Sequence, residues 1–432
     1  MRTNIKHKYL STLALFLVSF VPYSSAIELI GNVSTNVEYT NNAALVSTQT
    51  EDDVSQIVGL DLTVLENRKS VQANANFRVE NERYYNNSFS DRTSLTAGFG
   101  LFNLDLIESF LNWQTSFTRT EVLTDTTDTD TPDNREYRNI VRTGPTVSYQ
   151  YSRASFFALN VNYVGVENSD EAAFDSERVD GNLNYKYLFN PNTDFTVNSQ
   201  YEEVIDGDGD EEYADVKFSL GLIRRFARGD FQFNFGRTRL TPDQSGAVKS
   251  NYFDIQLTRE QLLWHDISLV YLEDISDTSI GFESDEQGEV LENGSQRSAS
   301  GNDIIERKRL DLSVNRVFGN TSYRVNGFWE IEQFVSQDVE EVSKGVNINV
   351  DHGLSRRLVS EFSYSYQEDD FSDRVGVGID KESSYSVGVR YNLSTSFSVN
   401  SFIRFTTLYN TQNMSREYEE FATGFGLNWS FL

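Results

Sequence analysis

The chain has 432 residues, with 65 acidic against 37 Lys and Arg, a formal net charge of -28 and no cysteine. Disulfide staples and thiolate metal sites are excluded, and nucleic acid is not an expected partner of so acidic a protein. The mean hydropathy of -0.47 ordinarily marks a soluble protein, yet aromatic residues make up 13%, with Tyr 22 and Phe 31.

The first element is a targeting segment. Arg2, Lys6 and Lys8 precede an apolar run from Tyr9 to Val21, and Ser24-Ser25-Ala26 supplies small residues for cleavage after Ala26. This is the pattern of a secretory signal peptide, residues 1-26. The run is shorter than the roughly 18 apolar residues that a membrane helix needs, and Pro22 ends it. Residues 27-432 form the expected mature protein, made more acidic by the loss of three basic residues.

From there the pattern is alternation at period two. A first strand near Leu29 to Tyr39 is followed by Val71, Ala73, Ala75, Phe77 and Val79 on one face, with Gln72, Asn74, Asn76 and Arg78 on the other. Similar ladders are Leu95, Ala97, Phe99, Leu101; Phe157, Leu159, Val161, Tyr163; Ala214, Val216, Phe218, Leu220, Leu222; Phe231, Phe233, Phe235; and Tyr385, Val387, Val389, Tyr391. A strand that shows lipid only at every second residue keeps average hydropathy low while one face is apolar. The expected fold is an all-β, transmembrane, antiparallel up-and-down β-barrel of about 20 strands, with weak strands near Leu104 to Trp113 and Ile304 to Phe334 leaving the count open by two.

Connections alternate between two kinds. Short ones sit near Asn67 to Lys69, Ser152 to Ala154, Asn190 to Thr193, Ala227 to Gly229, Phe318 to Asn320, Leu354 to Arg357 and Ser394-Thr395. Longer polar loops run over Asn41 to Asp53, Thr124 to Arg138, Asn168 to Arg178, Asp206 to Glu212, Ser276 to Asp303, Asp369 to Asp380 and Asn410 to Arg416. Short periplasmic turns alternating with long external loops belong to outer-membrane barrels of Gram-negative bacteria. An upward first strand places Tyr39, Tyr84, Tyr85, Tyr163, Tyr201, Tyr271, Tyr366 and Tyr409 at the outer interface, and Tyr149, Tyr151, Tyr185, Tyr187 and Tyr391 at the inner one. Arg68, Lys69, Arg153, Arg225, Arg228, Arg356 and Arg357 fall in the turns, whereas the external loops are mostly acidic. Outer-membrane lipid and lipopolysaccharide are the expected surroundings.

Candidate functional residues fall into three groups. The inward face is expected to be lined by Asn74, Asn76, Arg78, Asn182, Asn184, Gln232, Asn234, Arg307, Arg309, Asn347, Asn349 and Arg390, groups that hold water and can hydrogen-bond sugar hydroxyls. Asp206, Asp208, Asp210 and Glu212 space carboxylates as a Ca2+ loop does, but Glu211 and Lys217 stand where that pattern wants Gly and Glu. A solvated acidic loop is the simpler expectation, with Ca2+ or Mg2+ the alternative and no other cofactor. At the C-terminus, Phe425, Leu427, Trp429 and Phe431 resemble the signal that the barrel assembly machinery recognises, although Leu432 follows the aromatic. His265 and His352 fall at the periplasmic rim without a nucleophile motif beside them, so no enzyme is expected.

A narrower resemblance rests on two regions. Asn36-Val37-Glu38-Tyr39-Thr40-Asn41-Asn42, with Val58-Gly59-Leu60-Asp61-Leu62 and Ala73-Asn74-Ala75-Asn76-Phe77, resembles the start of outer-membrane barrels associated with exosortase/PEP-CTERM and exopolysaccharide systems. Leu257-Thr258-Arg259-Glu260 and Gly353-Leu354-Ser355-Arg356-Arg357-Leu358 resemble Arg-bearing strand-to-turn repeats of that family. The resemblance implies a role in polysaccharide export or matrix assembly and transfers no catalytic residue. A barrel this wide has more space than its side chains fill, and strand pattern begins almost at the cleavage site, leaving no room for a plug. A porin-like channel is therefore expected, constricted by Ser276 to Asp303 or, second, by Thr124 to Arg138. The alternative is a non-conducting barrel whose acidic loops bind divalent ions, polysaccharide or a secreted partner.

Overall fold

Alternating residues with β-branched and aromatic side chains on one face favour extended chain, and in this protein every such stretch pairs with its sequence neighbour. The computed structural model describes residues 27-124, 128-169, 175-207, 213-242, 247-262, 265-277, 304-335, 337-374 and 376-431. The strands are β1 (Ile27–Thr40), β2 (Asp53–Asn67), β3 (Val71–Tyr84), β4 (Arg92–Ile107), β5 (Leu111–Leu123), β6 (Arg135–Gln150), β7 (Ser155–Asn168), β8 (Ser176–Asn190), β9 (Thr193–Gly207) and β10 (Tyr213–Phe226). They continue as β11 (Gly229–Pro242), β12 (Val248–Leu262), β13 (His265–Asp277), β14 (Ile304–Phe318), β15 (Thr321–Phe334), β16 (Val339–Gly353), β17 (Leu358–Phe371), β18 (Gly378–Asn392), β19 (Phe397–Asn410) and β20 (Tyr418–Phe431).

All 20 strands form one antiparallel sheet, and β1 pairs with β20 from Gly31↔Phe431 to Thr40↔Ala422 to close it. Closure leaves no free edge whose backbone donors and acceptors would need water, which is what permits strands to stand in lipid. At the seam the ring of Phe431 lies over Gly31, where any Cβ would overlap it. The paired glycine and aromatic let the last strand pack flat on the first. With strands ~4.8 Å apart and tilted by roughly 40°, the circumference is about 125 Å and the mean backbone diameter about 40 Å.

Turn chemistry sets the periplasmic end. Gly319 adopts φ +57° in the two-residue turn before Asn320, and Gly229 adopts φ +135° with the carbonyl of Thr258 where a Cβ would stand. Both conformations favour glycine. The uncertain strands resolve as separate pairs: β4 and β5 are joined over residues 108-110, and β14 and β15 over 319-320. The connection over 85-91 is a further external loop that the sequence pattern did not announce.

Two faces separate by curvature. On the convex face side chains diverge, and Leu159, Phe218, Leu220, Val387, Phe425 and Trp429 stand exposed. On the concave face they converge, so residues bond across an intervening strand. Arg142 of β6 meets Asp180 of β8, Arg178 of β8 meets Tyr213 of β10, and Tyr418 of β20 meets Glu382 of β18.

Two expectations about facing are corrected. Tyr84 does not join the outer girdle: it shares the inward face with Glu82, to which its hydroxyl donates at 2.7 Å. The ladder Leu95, Ala97, Phe99, Leu101 does not keep one face, because a register shift opposite Arg78/Val79 interrupts β4. Leu95 pairs with outward Val79, whereas Phe99 and Leu101 pair with inward Asn76 and Asn74. A bulge inserts one residue and so flips all that follow.

Candidate functional site

The inward wall is the candidate site, built by strand parity. Asn74, Asn76 and Arg78 of β3 face Leu65, Thr63 and Asp61 of β2, and Asn76 donates to Thr63 at 2.9 Å. All three are exposed on the concave face, and Arg78 also pairs with Glu80 at 2.8 Å. Asn182 and Asn184 of β8 face Gln200 and Asn198 of β9, with a side-chain hydrogen bond between Asn184 and Asn198. Gln232 and Asn234 of β11 both donate to Asp254 of β12, at 3.3 and 2.8 Å.

Arg307 and Arg309 of β14 converge on Glu330 of β15. Arg307 Nε lies 2.7 Å and Arg309 Nη1 2.9 Å from the same carboxylate oxygen, while Arg309 also grips Asp311 at 2.7 and 2.8 Å. Arg309 is 3% exposed and Glu330 4%, so this is a buried ion network in the wall. Arg390 of β18 pairs with Glu361 of β17 at 3.1 Å.

Between β15 and β19 the register lays small polar side chains in rows around the wall. One row runs Asn326, Asn347, Ser365, Ser384 and Thr406; the next runs Arg324, Asn349, Ser363, Ser386 and Arg404. Ser384 and Thr406 share a hydrogen bond of 3.1 Å. Toward the periplasm, Asn349 and Asp351 line a recess of about 210 Å³ with Asn315, Ser322 and Arg324.

The wall is not uniformly polar. Val164, Val166, Val204 and Leu240 point inward and are buried, with Val204, Tyr213, Leu240 and Ile275 in one cluster at the outer ends of β9 to β13. Parity alone could have found them, since they alternate in step with inward Asn162, Glu202 and Thr238.

Charge on the wall is largely cancelled, with carboxylates in excess. Arg92 pairs with Glu82, Arg178 with Glu202, Lys186 and Arg225 with Asp194, Lys217 with Asp274, and Arg404 with Glu38 and Glu420. Asp254 and Glu382 are held by amides and by the Tyr418 hydroxyl instead of by cations. Their charge is satisfied by hydrogen bonds but not neutralised.

Above the wall, the loop between β5 and β6 turns inward. Asp130 lies within electrostatic range of Glu382 on β18 and Tyr418 on β20, although β1 to β4 separate its own strands from β20. Arg135 holds Asp130 at 2.6 Å, and buried Asn134 donates to the carbonyl of Thr129 at 3.1 Å. Of the two loops expected to constrict, the described part of Thr124 to Arg138 carries Asp130 toward β18 and β20, while residues 125-127 and residues 278-303 of Ser276 to Asp303 lie outside the described residues.

The neighbouring loop over 85-91 is pinned by one carboxylate. Asp53, 1% exposed, accepts from the backbone N–H of Val54, Asn86 and Ser88 at 2.6, 2.8 and 3.1 Å and from the Ser88 hydroxyl at 2.5 Å. Burial pushes its pKa up, but the Ser88 hydroxyl and the three N–H groups outweigh burial and hold it below the ordinary 3.8. A depressed folded pKa means that this anchor is complete above the unfolded value and is lost as pH falls through the folded one. A spin label at Ser90→Cys is therefore expected to stay ordered at neutral pH and to loosen only below about pH 4; with Asp53→Asn it loosens at neutral pH as well. Equal mobility in both proteins at neutral pH counts against the anchor.

The remaining sequence candidates are placed as follows. Asp208, Asp210 and Glu212 lie outside the described residues, and Asp206 is at the outer end of β9, opposite Glu177. Among the described residues no group of three or more His, Asp or Glu is arranged to hold a metal ion. Phe425 and Trp429 are exposed on the convex face of β20, in step with Leu427 and Phe431. His265 bonds the Tyr323 hydroxyl and His352 the Thr321 hydroxyl, each at 2.8 Å and each at the periplasmic end of its strand.

A closed barrel with an apolar convex face and a polar concave one belongs in lipid, and short turns at one rim with long acidic loops at the other give it its direction. The protein is an outer-membrane β-barrel. No protein-family model matches it and no curated protein matches it. Among solved structures, it is similar to OpdK of Pseudomonas aeruginosa, crystallised with vanillate, at 11% identity over 94% of this chain and 99% of that one, TM-score 0.38. The siderophore receptor PirA of Pseudomonas aeruginosa gives 10% identity over 94% and 80%, TM-score 0.47. The FrpB iron transporter of Neisseria meningitidis gives 9% over 93% and 82%, TM-score 0.45. At these identities the likeness is one of barrel architecture alone.

Proposed function

We propose that the protein is a porin-like channel for hydrophilic solutes, neutral or cationic rather than anionic. The observation that carries this reading is the concave wall: rows of amides and hydroxyls from β15 to β19, exposed Asn74, Asn76 and Arg78 on β3, and carboxylates in excess of the cations they bind. Wall rows of alternating donors and acceptors suit sugar hydroxyls, which with the sequence resemblance supports an exopolysaccharide or its fragments as the solute.

Planar-bilayer recording of the purified protein tests the channel. Stepwise conductance is expected, reduced by added neutral oligosaccharide. If neither the intact chain nor a deletion of residues 278-303 conducts, the channel reading fails and the non-conducting binding barrel takes its place.

A further inference from the structure

The outward surface carries a group of cations that no described residue neutralises. Arg237 and Arg239 continue the convex face of β11 above Phe231, Phe233 and Phe235, and Lys249 continues that of β12 above Phe253 and Ile255. All three are exposed. In register Arg239 stands between Val216 and Lys249, and Arg237 between Phe218 and Asn251. Like charges directly opposite on adjacent strands destabilise a sheet, and no carboxylate flanks this pair in the ladder.

Among the described residues none of the three makes an ion pair or a side-chain hydrogen bond. Elsewhere near the outer interface, several polar groups on the convex face have partners within the protein. Tyr201 donates to Glu203 and Tyr271 to Glu273, at 2.8 and 3.1 Å, and Glu368 lies between Lys344 and Lys381 at 2.9 and 3.5 Å. Three neighbouring cations without a partner among the described residues offer a site for an outside anion.

Height narrows the choice of anion. From Lys249 down to Arg259 on the same face, ~3.4 Å per residue at roughly 40° of tilt gives about 26 Å, the height of an apolar barrel band. Lys249, Arg237 and Arg239 therefore stand at the outer lipid interface. Directly beneath them the paired rings of Phe235 and Phe253, 5.1 Å apart, offer an apolar surface for an acyl chain.

We propose that Arg237, Arg239 and Lys249 form a site for the phosphate of an outer-leaflet glycolipid. Guanidinium groups bind phosphate through paired N–H donors, and an acyl anchor holds the phosphate at their level. This inference does not depend on the channel reading, since the site is on the other face of the wall.

The test uses the full mature protein in detergent, with phosphorylated lipid A, enzymatically dephosphorylated lipid A and inorganic phosphate as probes, and native mass spectrometry as readout. Phosphorylated lipid A is expected to bind, and the triple variant Arg237→Gln, Arg239→Gln, Lys249→Gln to bind about 100-fold more weakly, from three cations near a charged surface. The charge-conserving Arg237→Lys, Arg239→Lys variant, which keeps the charge but loses the paired N–H donors, is expected to bind more weakly than the native protein and more tightly than the triple variant. Undiminished binding by the triple variant, or equal binding of the dephosphorylated lipid, overturns the site. Full competition by inorganic phosphate at millimolar concentration overturns the lipid as its source.

Discussion

Replacing Glu330 with alanine is expected to cost about 3 kcal/mol of stability, the lower end of what is lost when one member of a buried ion network is removed. Glu330 accepts from both Arg307 and Arg309, and the two guanidiniums approach each other only because that carboxylate lies between them. Without it Arg309 keeps Asp311 and Arg307 keeps Glu332 at 3.8 Å, but both lose the carboxylate they share. Two positive charges then share a wall that excludes most water, beside the Phe328 ring over which Arg309 is stacked at 5.2 Å. The loss comes from two neighbouring cations left to repel each other and not from the intrinsic strength of the pair. Adding Arg309→Met to Glu330→Ala should therefore recover part of it. The temperature at which the folded barrel loses its compact electrophoretic form measures this. A shift no larger than that of the exposed substitution Glu28→Ala would sink the argument.

The same network shows how far a sequence could carry this fold. Arg307 and Arg309 were legible as inward residues because parity, once a single strand is oriented, assigns a face to every second position. Their common partner was not, because Glu330 sits on the next strand and only the register Arg309↔Glu330 brings it opposite. Turns were legible for a related reason: Gly319 and Gly229 occupy backbone conformations that few residues tolerate, so composition marks them. Tyr84 was misplaced because a tyrosine near a strand end suits either an interfacial girdle or an inward hydrogen bond to Glu82. The face change within β4 left no mark in the pattern, since apolar residues flank the bulge on both faces. Nothing in the sequence pattern singles out Arg239 and Lys249. Their opposition emerges only when β11 and β12 are laid side by side.

A second large effect is expected in ion selectivity. In a tenfold KCl gradient centred near 0.1 M, the open channel should give a reversal potential of the sign for K+ over Cl−, a substantial fraction of the ~59 mV limit for a univalent ion. Wall charge alone does not guarantee this. Screening confines each charge to about 10 Å at 0.1 M, and a bore approaching the ~40 Å backbone diameter would leave a neutral centre. Selectivity must therefore arise where the passage is narrowest, at the inward loop. There Asp130 approaches Glu382 and Tyr418, and Glu420 lies close to Glu382 as well. Arg404 offsets Glu38 and Glu420, and Arg135 offsets Asp130. Glu382, held by the Tyr418 hydroxyl, is left to set the sign, and Asp130 keeps Arg135 from reversing it.

Two consequences distinguish this account from a diffuse wall effect. The double variant Asp130→Asn, Glu382→Gln should lower the K+ preference severalfold at 0.1 M while leaving conductance in 1 M salt nearly unchanged, because screening there falls to about 3 Å. Neutralising Asp254, on β12 and remote from the loop, should alter the reversal potential little. Anion preference in the native channel, or a reversal potential indifferent to the double variant, would place the selectivity elsewhere on the wall and remove the inward loop from the permeation argument.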